Sequence, residues 1–133
     1  MVSRARKVLI VDDHDDLRKS IAHLLKAWGC SVAEAVDGPT ALSAAKSFEP
    51  DVVILDLSLR DVSGLDVARR LRERIAPRQA YLIALTAFSD PRVRDACLAA
   101  GFDAYLVKPE GIVELEALLS SQAVSCLGGF TTT

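Results

Sequence analysis

The chain has 133 residues, enough at ~150 residues per domain for one compact domain and too few for two. Half of the residues are hydrophobic and 26% are charged, which argues against a disordered tail, a collagen-like rod or a coiled coil. Sixteen Lys and Arg against eighteen Asp and Glu leave a formal charge of −2, so the chain has no general attraction for nucleic acid or an anionic membrane.

Cys30, Cys97 and Cys126 are odd in number and widely spaced, with neither the paired spacing of a zinc site nor a disulfide framework. They read as small core hydrophobes or free thiols in a reducing cytosol. The basic start, residues 1–7, leads into an apolar run of only Val8 to Val11 before Asp12 and Asp13 interrupt it. No stretch approaches the ~18 apolar residues of a membrane span, so the expectation is a soluble, cytoplasmic protein.

Short apolar runs alternate with longer helical stripes along the chain. Strands are expected at 8–11, 31–36, 52–55, 81–85 and 104–107. Leu17, Ile21, Leu24, Leu25 and Trp28 form the stripe of a first helix that Gly29 closes. Asp37-Gly38-Pro39 opens a second helix through Ala41, Leu42, Ala45 and Phe48, stopped by Pro50. Leu65, Ala68, Leu71, Arg72 and Ile75 make a third, ended by Pro77. Ser89-Asp90-Pro91 opens a fourth, with Val93, Ala96, Cys97 and Ala100 before Gly101, and Ile112, Leu115, Leu118 and Leu119 make a fifth. The tail from 122 to 133, with its glycines and threonines, reads as mobile.

Strand runs that are apolar at successive positions imply burial on both faces, hence one doubly wound α/β domain over residues 1–121 with a five-stranded parallel sheet. Right-handed crossovers then bring the loops that follow the strands to one edge, where ligands bind in such sheets. At that edge the sequence places Asp12-Asp13, Asp56, Thr86 and Lys108-Pro109. Three carboxylates brought together repel unless a cation sits among them, and Mg²⁺, which prefers oxygen ligands, answers that need. Three Asp (−3), one Lys (+1) and Mg²⁺ (+2) sum to zero, so an incoming phosphoryl group meets a neutral site.

Asp12-Asp13, Asp56, Thr86-Ala87, Tyr105 and Lys108-Pro109, each in register with a strand, resemble the receiver domain of two-component response regulators. Asp37-Gly38, Ser63-Gly64 and Ala100-Gly101 extend the resemblance, which covers residues 7 to about 121. It implies a flavodoxin-like (βα)5 fold with strand order 2-1-3-4-5. It implies that Asp56 accepts a phosphoryl group from a phosphohistidine on a partner kinase or phosphotransfer protein, and that the acyl phosphate later hydrolyses. Mg²⁺ would be held by Asp13, Asp56 and the backbone carbonyl of Ser58, with Asp12 acting through water. Lys108 and Thr86 would each bind a phosphoryl oxygen, and a cis Lys108-Pro109 bond would direct the lysine inward. Thr86 and Tyr105 would then form a switch that remodels the face of the fourth helix, fifth strand and fifth helix toward a downstream effector.

Each residue also has a plainer explanation. Asp15 and Asp16 read as acids favoured at a helix N-terminus, His14 as a loop residue, His23 as surface, and Arg69, Arg70, Arg72 and Arg74 as a solvated face. Tyr105 alone would be a static core aromatic. Arg60 and Glu110 stand where many receivers have proline and phenylalanine, and a bulky Phe88 is expected to slow hydrolysis. Ala104 and the arginine-poor segment 112–121 lack the charge set of regulators that dimerise through this face, although a homodimer stays open.

The chain is therefore expected to be a signalling domain with intrinsic phosphotransfer and autodephosphorylation chemistry, touching neither nucleic acid nor membrane itself. A Mg²⁺-dependent phosphatase of the haloacid dehalogenase kind would need an acid two residues after Asp56, where Ser58 stands. A flavodoxin would need a hydroxyl- and glycine-rich phosphate loop where Asp12-Asp13 stand. A degenerate receiver acting only as an interaction module conflicts with the intact reactive set. The length leaves no room for an output domain: a complete chain would act on a partner in trans, and a fragment would come from a hybrid histidine kinase or a multidomain regulator.

Overall fold

The computed structural model describes residues 6–57, 64–75, 80–86 and 91–107. Five strands alternate with four helices there: β1 (Lys7–Val11), α1 (Asp15–Ala27), β2 (Ser31–Ala35), α2 (Gly38–Phe48), β3 (Val52–Asp56), α3 (Gly64–Ile75), β4 (Tyr81–Thr86), α4 (Pro91–Ala100) and β5 (Ala104–Val107). Every strand pair is parallel, and the order across the sheet is β2-β1-β3-β4-β5. The expected class and order are both found. The expected fifth helix and the tail lie outside the described residues, as do Ser58, Arg60, Phe88, Lys108, Pro109, Glu110 and Cys126.

The sheet divides the core into two. Leu9, Val11, Val53, Leu55, Leu82 and Ala84 pack with α2, α3 and α4 on one face, while Val8, Ile10, Ile54, Ile83 and Leu85 pack with α1 on the other. Strands buried on both sides need apolar residues at consecutive positions, which is why these runs stand out in the sequence. β2, at the sheet edge, is only partly buried, with Ser31 and Glu34 exposed. The α1 stripe buries Ile21 and Leu25, whereas Leu24 lies at its margin and is 37% exposed. Cys97 is fully buried and Cys30 half-buried, and burial pushes both thiols above their ordinary pKa. Among the described residues no helix is long and apolar enough to cross a membrane.

The helix ends follow their sequence signals. Asp37 caps α2: its carboxylate accepts from the Thr40 N–H at 2.9 Å, and the Asp37 N–H donates to the Thr40 hydroxyl at 3.2 Å. The Thr40 hydroxyl, which donates to Asp37 Oδ1 at 2.6 Å, and then the Thr40 N–H hold the exposed Asp37 carboxyl below its usual pKa. Gly101 ends α4 at φ +107°, a conformation that favours glycine.

Arg72 departs from the expected solvated face. Its guanidinium reaches from α3 under the start of β4 and β5, donating to the Gly101 carbonyl at 2.7 and 3.0 Å and to the Ala80 carbonyl at 2.7 Å, and it pairs with Asp103 at 2.6 Å. Asp103 in turn accepts from the Leu82 N–H at 2.8 Å. One cation thus ties α3 to the amino ends of two strands. Arg72→Ala is expected to cost about 2 kcal/mol, since hydrogen bonds from a charged donor contribute ~1.5–3 kcal/mol. Arg69→Ala, whose exposed pair with Asp66 is 3.4 Å long, should cost less than ~0.5 kcal/mol; denaturant unfolding of the two variants measures the contrast.

Candidate functional site

The site begins with the register of the central strands. β1 and β3 pair as Val11↔Leu55, so the residue following each, Asp12 and Asp56, reaches the carboxyl edge side by side. Both are buried, at 1% and 2% exposure, and Asp13 is half-buried beside them. Burying carboxylates is costly unless something compensates. Part of the compensation is backbone: the His14 N–H donates to Asp12 Oδ1 at 2.9 Å.

The His14 ring leans over the same acids. Its Nδ1 lies 3.2 Å from Asp12 Oδ1, 3.2 Å from Asp13 Oδ1 and 3.9 Å from Asp56 Oδ2, although the side chain is 64% exposed. Donor atoms of Asp12, Asp13, His14 and Asp56 all fall within 4.8 Å of one another. Three carboxylates at this spacing suit a hard divalent cation, and the residues present therefore fit Mg²⁺. His14 was expected to be a bystander; its exposure is as expected, its contact with the acids is not.

Arg18 is the residue the sequence did not reveal. It is almost fully buried on α1, where its Nε donates to Glu34 at 2.8 Å and its Nη1 donates to Asp15 at 2.8 Å and to the Asp12 carbonyl at 3.0 Å. Burial alone would lower its pKa, but the bonds to Glu34 and Asp15 outweigh that and hold it above the ordinary arginine value. Because the Asp12 N–H also donates to the Ala35 carbonyl at 3.1 Å, the Asp12 backbone is held at both ends. Glu34 on β2 supports the site through this arginine. Only the apolar spacing around position 18 hinted that its side chain lies inside.

Gly64 sets the other wall. A Cβ there would sit 2.7 Å from Leu57 Cα and 2.9 Å from the Asp56 carbonyl oxygen, so α3 can begin directly behind the acidic loop only with glycine.

Thr86 is fully buried at the end of β4, paired with Val107 of β5. Tyr105, paired with Ala84, is half-buried and packs against the α2, α3 and α4 side of the core. Alternation along β4 and β5 puts Thr86 and Tyr105 on that same face. Ser58 and Lys108 lie outside the described residues.

Arg18→Met should destabilise the fold by about 3 kcal/mol, because it removes a buried cation and leaves the Glu34 and Asp12 acceptors without it. Asp15→Asn, at an exposed partner, should cost less than about 1 kcal/mol. Urea unfolding gives both values, and amide shifts of Asp12 and Asp13 should move in Arg18→Met and stay near wild type in Asp15→Asn.

The comparisons with known proteins agree on one family. The family model of the response regulator receiver domain matches residues 8–120. The chain is 40% identical over 122 residues to the probable transcriptional regulatory protein TcrX of Mycobacterium tuberculosis, spanning 89% of this chain and 51% of that protein. It is 40% identical over 112 residues to KdpE of the same organism, over 84% and 48% of the two chains. The chain thus spans about half the length of the curated relatives it matches. Among solved structures, chemotaxis protein CheY4 of Vibrio cholerae superimposes with a TM-score of 0.82 at 29% identity, over 88% of this chain and 98% of that one. The order of the strands, the paired acids at their carboxyl edge and the match along most of the chain have one explanation: this chain belongs to the response regulator receiver domain family.

Proposed function

We propose that the chain is a phosphoryl-accepting switch of a two-component system, with residues 1–121 as its receiver unit and Asp56 as the acceptor. The observation that carries this is the convergence of the Asp12, Asp13 and Asp56 carboxylates at the carboxyl edge of a parallel sheet, in a member of the receiver family.

A carboxylate oxygen of Asp56 attacks phosphorus in line, forming a P–O bond as the P–N bond to the donor histidine breaks; the bonding electrons leave with the imidazole nitrogen. Asp13, Asp56 and the Ser58 carbonyl, with Asp12 through water, would hold Mg²⁺, which when bound would supply positive charge to offset that of the phosphoryl oxygens. Asp12 is pinned by its backbone bonds and so keeps the acidic pocket in one shape before any phosphoryl group arrives. Lys108 binds one phosphoryl oxygen as a compact cation and the Thr86 hydroxyl donates to another. Hydrolysis of the acyl phosphate, with Asp56 as leaving carboxylate, resets the site.

The output follows from Thr86. Drawing its hydroxyl toward the phosphoryl group vacates space on the face it shares with Tyr105, and the tyrosine turns inward. The size of the shift equals the differential contact that the two packings make with the phosphoryl group. A sensor histidine kinase or phosphotransfer protein is the donor, and an effector that binds the α4 and β5 face is the receiver of the signal. The transcriptional roles named for the relatives are theirs; the step proposed here is phosphoryl acceptance and the change of face.

Incubation with a small acyl phosphate and Mg²⁺, followed by intact-mass measurement, should show a gain of one labile phosphoryl group. Asp56→Asn and excess chelator should each abolish it. An unmodified wild-type chain, or an adduct that persists in Asp56→Asn, contradicts the assignment.

A further inference from the structure

We infer that the His14 imidazole is a fourth donor at the acidic edge, so that the site prefers borderline first-row ions such as Co²⁺ to Mg²⁺. This rests on the reading above that the edge holds a divalent cation, and it concerns which cation the chain selects. Neighbouring donors on an octahedron with ~2.1 Å bonds lie about 3 Å apart. His14 Nδ1 is 3.2 Å from one oxygen of Asp12 and 3.2 Å from one of Asp13, so the three atoms already have the spacing of adjacent ligands.

Nothing on α1 draws the ring elsewhere. His14 stands at the N-cap position but makes no side-chain capping bond, and although the side chain is 64% exposed its Nδ1 lies over the acids, in hydrogen-bond contact with Asp12 Oδ1. Against the carboxylates alone Nδ1 carries the proton and donates it; an ion among the three acids would take its place, with the tautomeric proton on Nε2 and the Nδ1 lone pair toward the ion. Imidazole nitrogen adds little for Mg²⁺, which takes oxygen, and much for Co²⁺, Ni²⁺ and Zn²⁺. A receiver site with one nitrogen among its oxygens therefore becomes responsive to the supply of such ions.

The test uses the untagged full chain at about pH 8, above the ordinary imidazole pKa. Calorimetric titration with Co²⁺ and with Mg²⁺ compares wild type, His14→Ala and His14→Gln, the last keeping a hydrogen-bond donor without a ring nitrogen. The ratio of Co²⁺ to Mg²⁺ affinity should fall by at least about tenfold in both variants, the scale on which altered ligation acts. Proton NMR of the Co²⁺-loaded wild type should show a hyperfine-shifted, solvent-exchangeable imidazole N–H that both variants lack. Because the ring is exposed, both substitutions should leave the fold intact, which circular dichroism checks.

An unchanged ratio, a ratio that rises because the ring competes with the ion, or the absence of a His14-dependent shifted proton overturns the inference. The Asp56 phosphoryl adduct of the wild-type chain with Mg²⁺ separates the two claims. An adduct without any His14 effect on metal choice leaves the receiver reading standing and removes this one; a chain that forms no adduct and binds neither ion removes both.

Discussion

Everything at the site depends on the parallel pairing of β1 with β3. With Val11 opposite Leu55, both strands run out of apolar residues at the same level, and the next residue of each is an aspartate. A one-residue slip would exchange the two faces of a strand that is buried on both sides. Such a slip would disturb the packing of Ile10 and Ile54 against α1 and of Leu9 and Val53 against the opposite helices. The packing energy of the core is therefore what holds two carboxylates together out of water. Without that constraint they would separate, and no pocket for a divalent ion would exist.

The two edges of the sheet divide the remaining tasks. At the amino edge Arg72 and Asp103 satisfy backbone groups before β4 and β5 and fix α3 against them. At the carboxyl edge Arg18 bonds the Asp12 carbonyl while Gly64 lets α3 start against Asp56 and Leu57. Each arginine joins elements distant in sequence, and each uses backbone carbonyls as well as carboxylates. A rigid amino edge and a charged carboxyl edge suit the proposed switch, in which Thr86 and Tyr105 would move without loosening the sheet.

The strands and the positions of Asp12, Asp13, Asp56 and Thr86 were legible in the sequence because each is a local signal, an apolar run and then a polar residue that ends it; the strand order came only with the resemblance that those residues carry. The helix start at Asp37-Gly38-Pro39 and the helix stop at Gly101 were legible for the same reason. The long-range partners were not. Arg72 sits in a run of arginines that looks solvated, and only folding brings Gly101 and Asp103 to it. Arg18 shares a helix with ordinary surface charges, and its burial depends on Glu34 arriving from β2. His14 was rightly expected to be exposed, yet exposure of a ring does not say where its nitrogen points.

The central claim is that sheet register creates a cation pocket from Asp12, Asp13 and Asp56. Its most direct test is a Mg²⁺ titration followed by backbone amide NMR on the wild-type chain and on Asp13→Asn. The account predicts saturable shifts concentrated at residues 11–14 and 55–57 in the wild type, strongly weakened in Asp13→Asn. Shifts that fail to saturate, that centre elsewhere on the sheet, or that survive Asp13→Asn unchanged would contradict it.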